Sequence, residues 1–177
     1  MSIYKTLSKM HMFKEVSKED LKDLISQCEP SSYAMGALVC QQGEAATHAM
    51  LLLDGRLDVS VRAENKTRSV GSIHPGEIFG EQGLFHNKGV RSATVLASKP
   101  SHCLKLTPKI MKTHSNNKAM VALERHLIAT MSRRIRSTNT QIQKAWKEES
   151  KPNITQNVPE KEKSSSLLGR LKSLFGG

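Results

Sequence analysis

The residues best equipped for chemistry lie between 79 and 95: Phe79-Gly80-Glu81-Gln82-Gly83-Leu84-Phe85-His86-Asn87-Lys88-Gly89-Val90-Arg91-Ser92-Ala93-Thr94-Val95. Glycines at 80, 83 and 89 let the backbone bend and come close to a ligand. A helical turn over 82–85, starting at Gln82, would aim free N–H groups at whatever sits above Gly80 and Glu81, and such a turn attracts anions. Arg91 adds a permanently charged fork of donors matched to phosphate oxygens, and Ser92 adds a hydroxyl beside it. Glu81 would repel a bare phosphate. It fits only a ligand that also offers a donor, such as a ribose hydroxyl.

A cyclic nucleotide has both features, a singly charged phosphodiester and a free 2′-hydroxyl. The glycines alone would suit an ordinary surface turn with a salt bridge. Gly80, Glu81, Arg91 and Ser92 in this order and spacing point to the ligand. The run F-G-E-x-G-L-F followed by R-S-A resembles the phosphate-binding cassette of cyclic-nucleotide-binding domains of the catabolite-activator (cAMP receptor) type. The resemblance implies that Arg91 and Ser92 hold the cyclic phosphate. Glu81, the Gly80 backbone and Gln82 complete the site, with cAMP as ligand and cGMP as the alternative.

Several elements must position these residues. Ser17 can cap a helix over about 18–28, with Asp20 three residues on and Val16 stapled to Leu21; Leu21, Leu24, Ile25 and Cys28 share one face. Glu29-Pro30-Ser31-Ser32 stops it. From 33 to 107 the pattern turns to short strands at 38–41, 49–53, 57–61, 67–73, 92–97 and 102–106, separated by turns such as Asp54-Gly55 and His74-Pro75-Gly76. Many short strands with tight turns predict a closed antiparallel sandwich or barrel. The resemblance sharpens this to an α+β fold: a jelly-roll-like β-roll with an N-terminal helix and a long C-terminal dimerisation helix, followed by a flexible tail. Thr107 and Pro108 start helical sequence.

Residues 117–149 contain neither proline nor glycine and predict a long helix. Ile128, Met131, Ile135, Thr138, Ile142 and Ala145 recur at steps of three and four, the seam of a two-stranded coiled coil, which predicts a homodimer, with packing on the chain's own barrel as the alternative. Thr138 is polar within that seam. By resemblance to the family's dimerisation helix it meets the adenine of the nucleotide; otherwise it only sets the register of the seam. Asn139 stands where the family places a serine that contacts adenine across the dimer, which leaves open whether the contact is retained or the base preference changed.

The organisation expected is a β-roll with its N-terminal helix over 1–115, the dimerisation helix over 116–149, a disordered linker over 150–163 and a short amphipathic tail over 164–177. The resemblance covers roughly 13–147, and a polar, proline-broken stretch follows where a helix-turn-helix would begin, so operator recognition is not expected. On a helical wheel Leu167, Leu168, Leu171, Leu174 and Phe175 gather opposite Arg170 and Lys172. This tail is too short to be stably helical alone; it suits a protein groove, an anionic membrane surface to which it would associate weakly, or its own domain, and the alternative to all three is a frayed tail.

Composition excludes other classes. The net charge of +11 is spread along the chain and aromatics are 4% of residues, which argues against a base-stacking nucleic-acid platform. Cys28, Cys40 and Cys103 lack CxxC spacing and read as reduced thiols in a cytoplasmic protein. The seven histidines never reach HxH spacing, so no metal site is expected, and His74 and His86 are expected at the surface. No nucleophile is paired with a base, and the protein is not expected to be an enzyme. Beside the dimeric nucleotide sensor stand two alternatives: a non-sensing β-roll scaffold that docks a partner through its tail, and a DNA-binding regulator using the basic long helix.

Overall fold

The computed structural model describes residues 2–64, 66–85, 88–113 and 116–149, the side chains of 145, 148 and 149 excepted. The chain forms α1 (Ile3–Leu7), a 3-10 turn (His11–Phe13), α2 (Lys18–Gln27), β1 (Glu29–Tyr33), β2 (Leu38–Cys40), β3 (Ala49–Asp54), β4 (Leu57–Ala63), β5 (Lys66–Ile73) and β6 (Ile78–Phe79). Then come α3 (Gln82–Phe85), β7 (Thr94–Ala97), β8 (Ser101–Leu106), α4 (Pro108–Thr113) and α5 (Lys118–Glu149). Two antiparallel four-stranded sheets, ordered β1-β8-β3-β6 and β2-β7-β4-β5, face each other as the expected β-roll.

The apolar run 49–53 is unbroken because β3 is covered on both faces. Met50 and Leu52 turn into the space between the sheets with Leu57, Phe79, Val95 and Cys103. Ala49, Leu51 and Leu53 turn the other way, under a helical layer that supplies Leu7, Phe13, Leu21, Leu24, Met120 and Leu123. A strand that alternates would leave one face wet; this one cannot.

The helices start where local chemistry allows. Ser17 Oγ accepts from the Asp20 N–H at 3.0 Å and its hydroxyl donates to the Asp20 carboxylate at 2.7 Å. Thr107 Oγ1 accepts from the Ile110 N–H at 3.4 Å ahead of Pro108. Asn117 does two jobs at the start of α5. Its Oδ1 accepts from the N–H groups of Ala119 and Met120 at 2.8 and 3.2 Å, while its Nδ2 donates to the Asp20 carbonyl and the Asp23 carboxylate at 3.0 and 2.8 Å. The cap therefore also ties α5 to α2.

Three readings of the strands need correction. Glu29-Pro30-Ser31-Ser32 does end α2, but it continues as β1, pairing Glu29–Tyr33 with Lys105–Ser101. β1 is an edge strand, where the missing proline N–H is tolerated. The two-residue β6, paired through Met50 with Phe79 and Leu51 with Ile78, was not foreseen. Ser92 and Ala93 lie outside β7, which begins at Thr94.

The chain divides into compact units Met1–Arg133 and Arg134–Gly177, and the described part of the second is the helix over 134–149. The linker and tail expected at 150–177, and His86, fall outside the described residues. All three cysteines are buried free thiols, and burial pushes those of Cys28 and Cys103 up to about 12. Among the described residues no helix is long and apolar enough to cross a membrane.

Candidate functional site

The site is built on two backbone passes. On the first, β6 ends at Phe79 and the chain turns at Gly80, whose φ of +71° lies in the left-handed region. A Cβ there would overlap the tip of the Arg91 side chain, which would have to move, and the left-handed backbone itself favours glycine. The turn tightens as the N–H groups of Gly83 and Leu84 donate to the carbonyls of Gly80 and Glu81 at 3.0 and 2.9 Å. This corrects the expectation for the helical turn. Those two donors are used inside it and are not available to an anion.

On the second pass residues 89–94 run antiparallel to 42–46. Ala46 N–H donates to the Gly89 carbonyl at 2.8 Å, Arg91 N–H to the Glu44 carbonyl at 2.7 Å, and Gly43 N–H to the Arg91 carbonyl at 2.8 Å. Gln42 N–H donates to Thr94 Oγ1 at 3.1 Å. The result is alternation. Val90 and Ser92 are exposed, while the intervening Arg91 keeps only 6% of its surface.

Arg91 Nη1 reaches the Gly80 carbonyl at 3.5 Å and Nη2 reaches His48 Nε2 at 3.3 Å, both long for such bonds. Among the described residues no carboxylate pairs with it; ion pairs form elsewhere, between Arg56 and Asp58 and between Lys105 and Glu29. A buried guanidinium without a counter-ion is costly to keep. A site of this kind suits an incoming anion.

His48 was not singled out from the sequence, yet it braces both passes. Arginine can only donate, so His48 Nε2 accepts, and its Nδ1–H then faces Thr47 Oγ1 at 3.0 Å; the tautomer is assigned from this network. Burial, then the Arg91 and Lys105 charges, lower the His48 pKa to about 4, which keeps the ring neutral at pH 7. A Cβ on Gly83 would meet the His48 backbone, at 2.7 Å from its carbonyl oxygen. The backbone of His48 thus supports α3 while its ring supports Arg91. The only sequence signal was the demand for glycine at 83.

The structure brings Gly80, Glu81, Gln82 and Arg91 together with His48. Glu81 is half-buried before α3, Gln82 is exposed at its first position, and Ser92 is exposed beside Arg91. Thr138 and Asn139 lie on the part of α5 that belongs to the second unit, both exposed. Among the described residues no group of histidines, cysteines or carboxylates could hold a metal ion.

Residues 30–114 match the family model described as the cyclic nucleotide-binding domain. Among curated proteins, the chain is 27% identical over 123 residues to a cAMP-activated global transcriptional regulator of Pasteurella multocida, covering 69% of this chain and 58% of that one. It is 29% identical over 92 residues to a cGMP-dependent protein kinase of Eimeria tenella, covering 52% of this chain and 9% of the kinase. The chain thus spans less than two thirds of both relatives. Among solved structures, a cyclic nucleotide-binding domain of Methylobacillus flagellatus superposes with a TM-score of 0.67 at 21% identity, covering 81% of this chain and 82% of the other. That likeness concerns the fold.

Proposed function

We propose, from the match of residues 30–114 to the cyclic nucleotide-binding domain family, that the chain is a non-enzymatic cAMP sensor that works as a homodimer and signals through a protein partner. The observation that carries the reading is the buried Arg91, held between Gly80 and His48 with no carboxylate partner among the described residues. Arg91 and Ser92 hold the cyclic phosphate. Glu81, with Gly80 and Gln82, holds the ribose, and its carboxylate restricts ligands to those offering a hydroxyl donor. Thr138 and Asn139 are assigned to the base on resemblance alone, and cGMP is the competing ligand.

The dimer rests on the helix stripe. Ile128, Ile135 and Ile142 are 65%, 60% and 41% exposed, an apolar row at coiled-coil spacing that a second helix would cover. Nucleotide binding would shift the equilibrium between two helix arrangements only by its differential affinity for them.

Calorimetric titration with cAMP, cGMP and 2′-deoxy-cAMP tests the reading. Saturable binding of cAMP, weaker binding of the deoxy analogue and loss of binding in Arg91→Met are expected. Equal affinity for cAMP and its deoxy analogue would remove the role given to Glu81. No nucleotide-dependent melting shift at all would favour the non-sensing scaffold.

A further inference from the structure

A groove of 620 Å³ runs between the segment His11–Val16 and the start of α5. On α5 it is lined by Lys118, Val121, Ala122, Arg125 and His126. These occupy one helical face, at steps of three and four, beside the face that buries Ala119, Met120, Leu123 and Leu127 in the core. Its floor is apolar and half-buried, with Met12 and Val16 opposite Val121 and Ala122. Its permanent charges are Lys14, Lys118 and Arg125 against the single carboxylate of Glu15. His126 is half-buried in the wall, and its Nε2 is shut off from water with no hydrogen-bond partner among the described residues.

The geometry points to this groove as a docking site for an acidic amphipathic segment of a partner protein. Apolar side chains of that segment enter the floor while its carboxylates meet Lys14, Lys118 and Arg125. Charge selects the occupant. The chain's own apolar tail at 164–175 carries Arg170 and Lys172 and no acid, so it is repelled by the same cations. Shape narrows it further. A duplex or a planar membrane surface meets the cationic rim but does not fill an apolar floor, and among the described residues the lining offers no phenylalanine, tyrosine or tryptophan on which a base could stack. A helix or extended peptide does fill such a groove. The inference does not depend on nucleotide binding at Arg91.

The test uses the full chain and fluorescence anisotropy of a fluorescein-labelled amphipathic helical peptide with leucines on one face and glutamates on the other. Controls are its glutamine twin, a duplex DNA and phosphatidylserine vesicles. The glutamate peptide should bind, weaken with salt, and lose at least tenfold in affinity both in Lys118→Glu/Arg125→Glu and in Val121→Asp. The Lys118→Glu/Arg125→Glu chain should melt like the wild type, which separates lost docking from lost folding. The inference is overturned if the peptide does not bind, if its glutamine twin binds equally well, or if the variants bind it like the wild type. Binding of duplex or vesicles through Lys118 and Arg125 without peptide binding overturns it in favour of a nucleic-acid or membrane surface.

Discussion

Replacing Arg91 by methionine separates the cost of the guanidinium in the free protein from its use in the complex. Arg91 is 6% exposed and its two polar neighbours among the described residues lie at 3.5 and 3.3 Å, so these contacts hold a desolvated charge only weakly. An unpaired buried charge costs several kcal/mol, and an apolar chain of similar length should leave nucleotide-free stability unchanged or higher. With Arg91 on the cyclic phosphate as proposed, the variant should lose two charge-assisted bonds to phosphate oxygens, each worth about 1.5–3 kcal/mol. Their joint loss is about 3–6 kcal/mol, or roughly a hundred- to ten-thousand-fold in Kd for cAMP. Calorimetry reads the affinity and differential scanning fluorimetry the nucleotide-free Tm. The His48 pKa, followed by NMR, should rise from about 4 once the Arg91 charge is gone, yet stay below the ordinary histidine value because burial is the larger cause. Wild-type affinity in Arg91→Met would refute the phosphate assignment. A fall of more than about 10 °C in nucleotide-free Tm, well over 1 kcal/mol for a domain of this size, would show that Arg91 is there to hold the fold.

Gly80→Ala places a methyl group on the Arg91 guanidinium at a φ of +71°, and should cost about 1–2 kcal/mol of stability for the backbone alone while abolishing cAMP binding, as read by melting and calorimetry. Glu81→Gln should weaken cAMP about tenfold or more but leave 2′-deoxy-cAMP nearly unaffected, so that the two ligands bind alike in the variant. Ile135→Asp, in the middle of the exposed stripe, should shift sedimentation from dimer to monomer without unfolding the roll. For pH, the folded-state pKa of His48 lies below its unfolded value, so its contribution is fully present above pH 6.5 and is lost as pH falls toward 4; His126 is shifted in the same direction, also chiefly by burial. Melting in acid should therefore drop through that window, and by less in His48→Gln.

Local signals were legible wherever one short segment carried them. Ser17 with Asp20 fixed the start of α2, and Thr107-Pro108 that of α4, because a cap needs only a few neighbours. The order Gly80, Glu81, Arg91 marked out the segment that the structure gathers around His48, because backbone freedom and charge are properties of residue type. Features set by distant partners were not legible. β1 reads as a polar stop and becomes a strand only because β8 lies alongside it. β6 is two residues long and carries no period. His48 gains its role from a glycine 35 positions later and an arginine 43 positions later, a relation that only the closed roll creates. The basic face of α5 was likewise obscured, since Lys118 and Arg125 are unremarkable in a chain of net charge +11 until the segment His11–Val16 forms the opposite wall.

The most direct measurement is a calorimetric titration of the full chain with cAMP, repeated on Arg91→Met. The account predicts one saturable site per chain in the wild type and a loss of at least a hundredfold in the variant. Wild-type heats of binding that persist in Arg91→Met, or a wild-type chain that takes up neither cAMP nor cGMP, would contradict it.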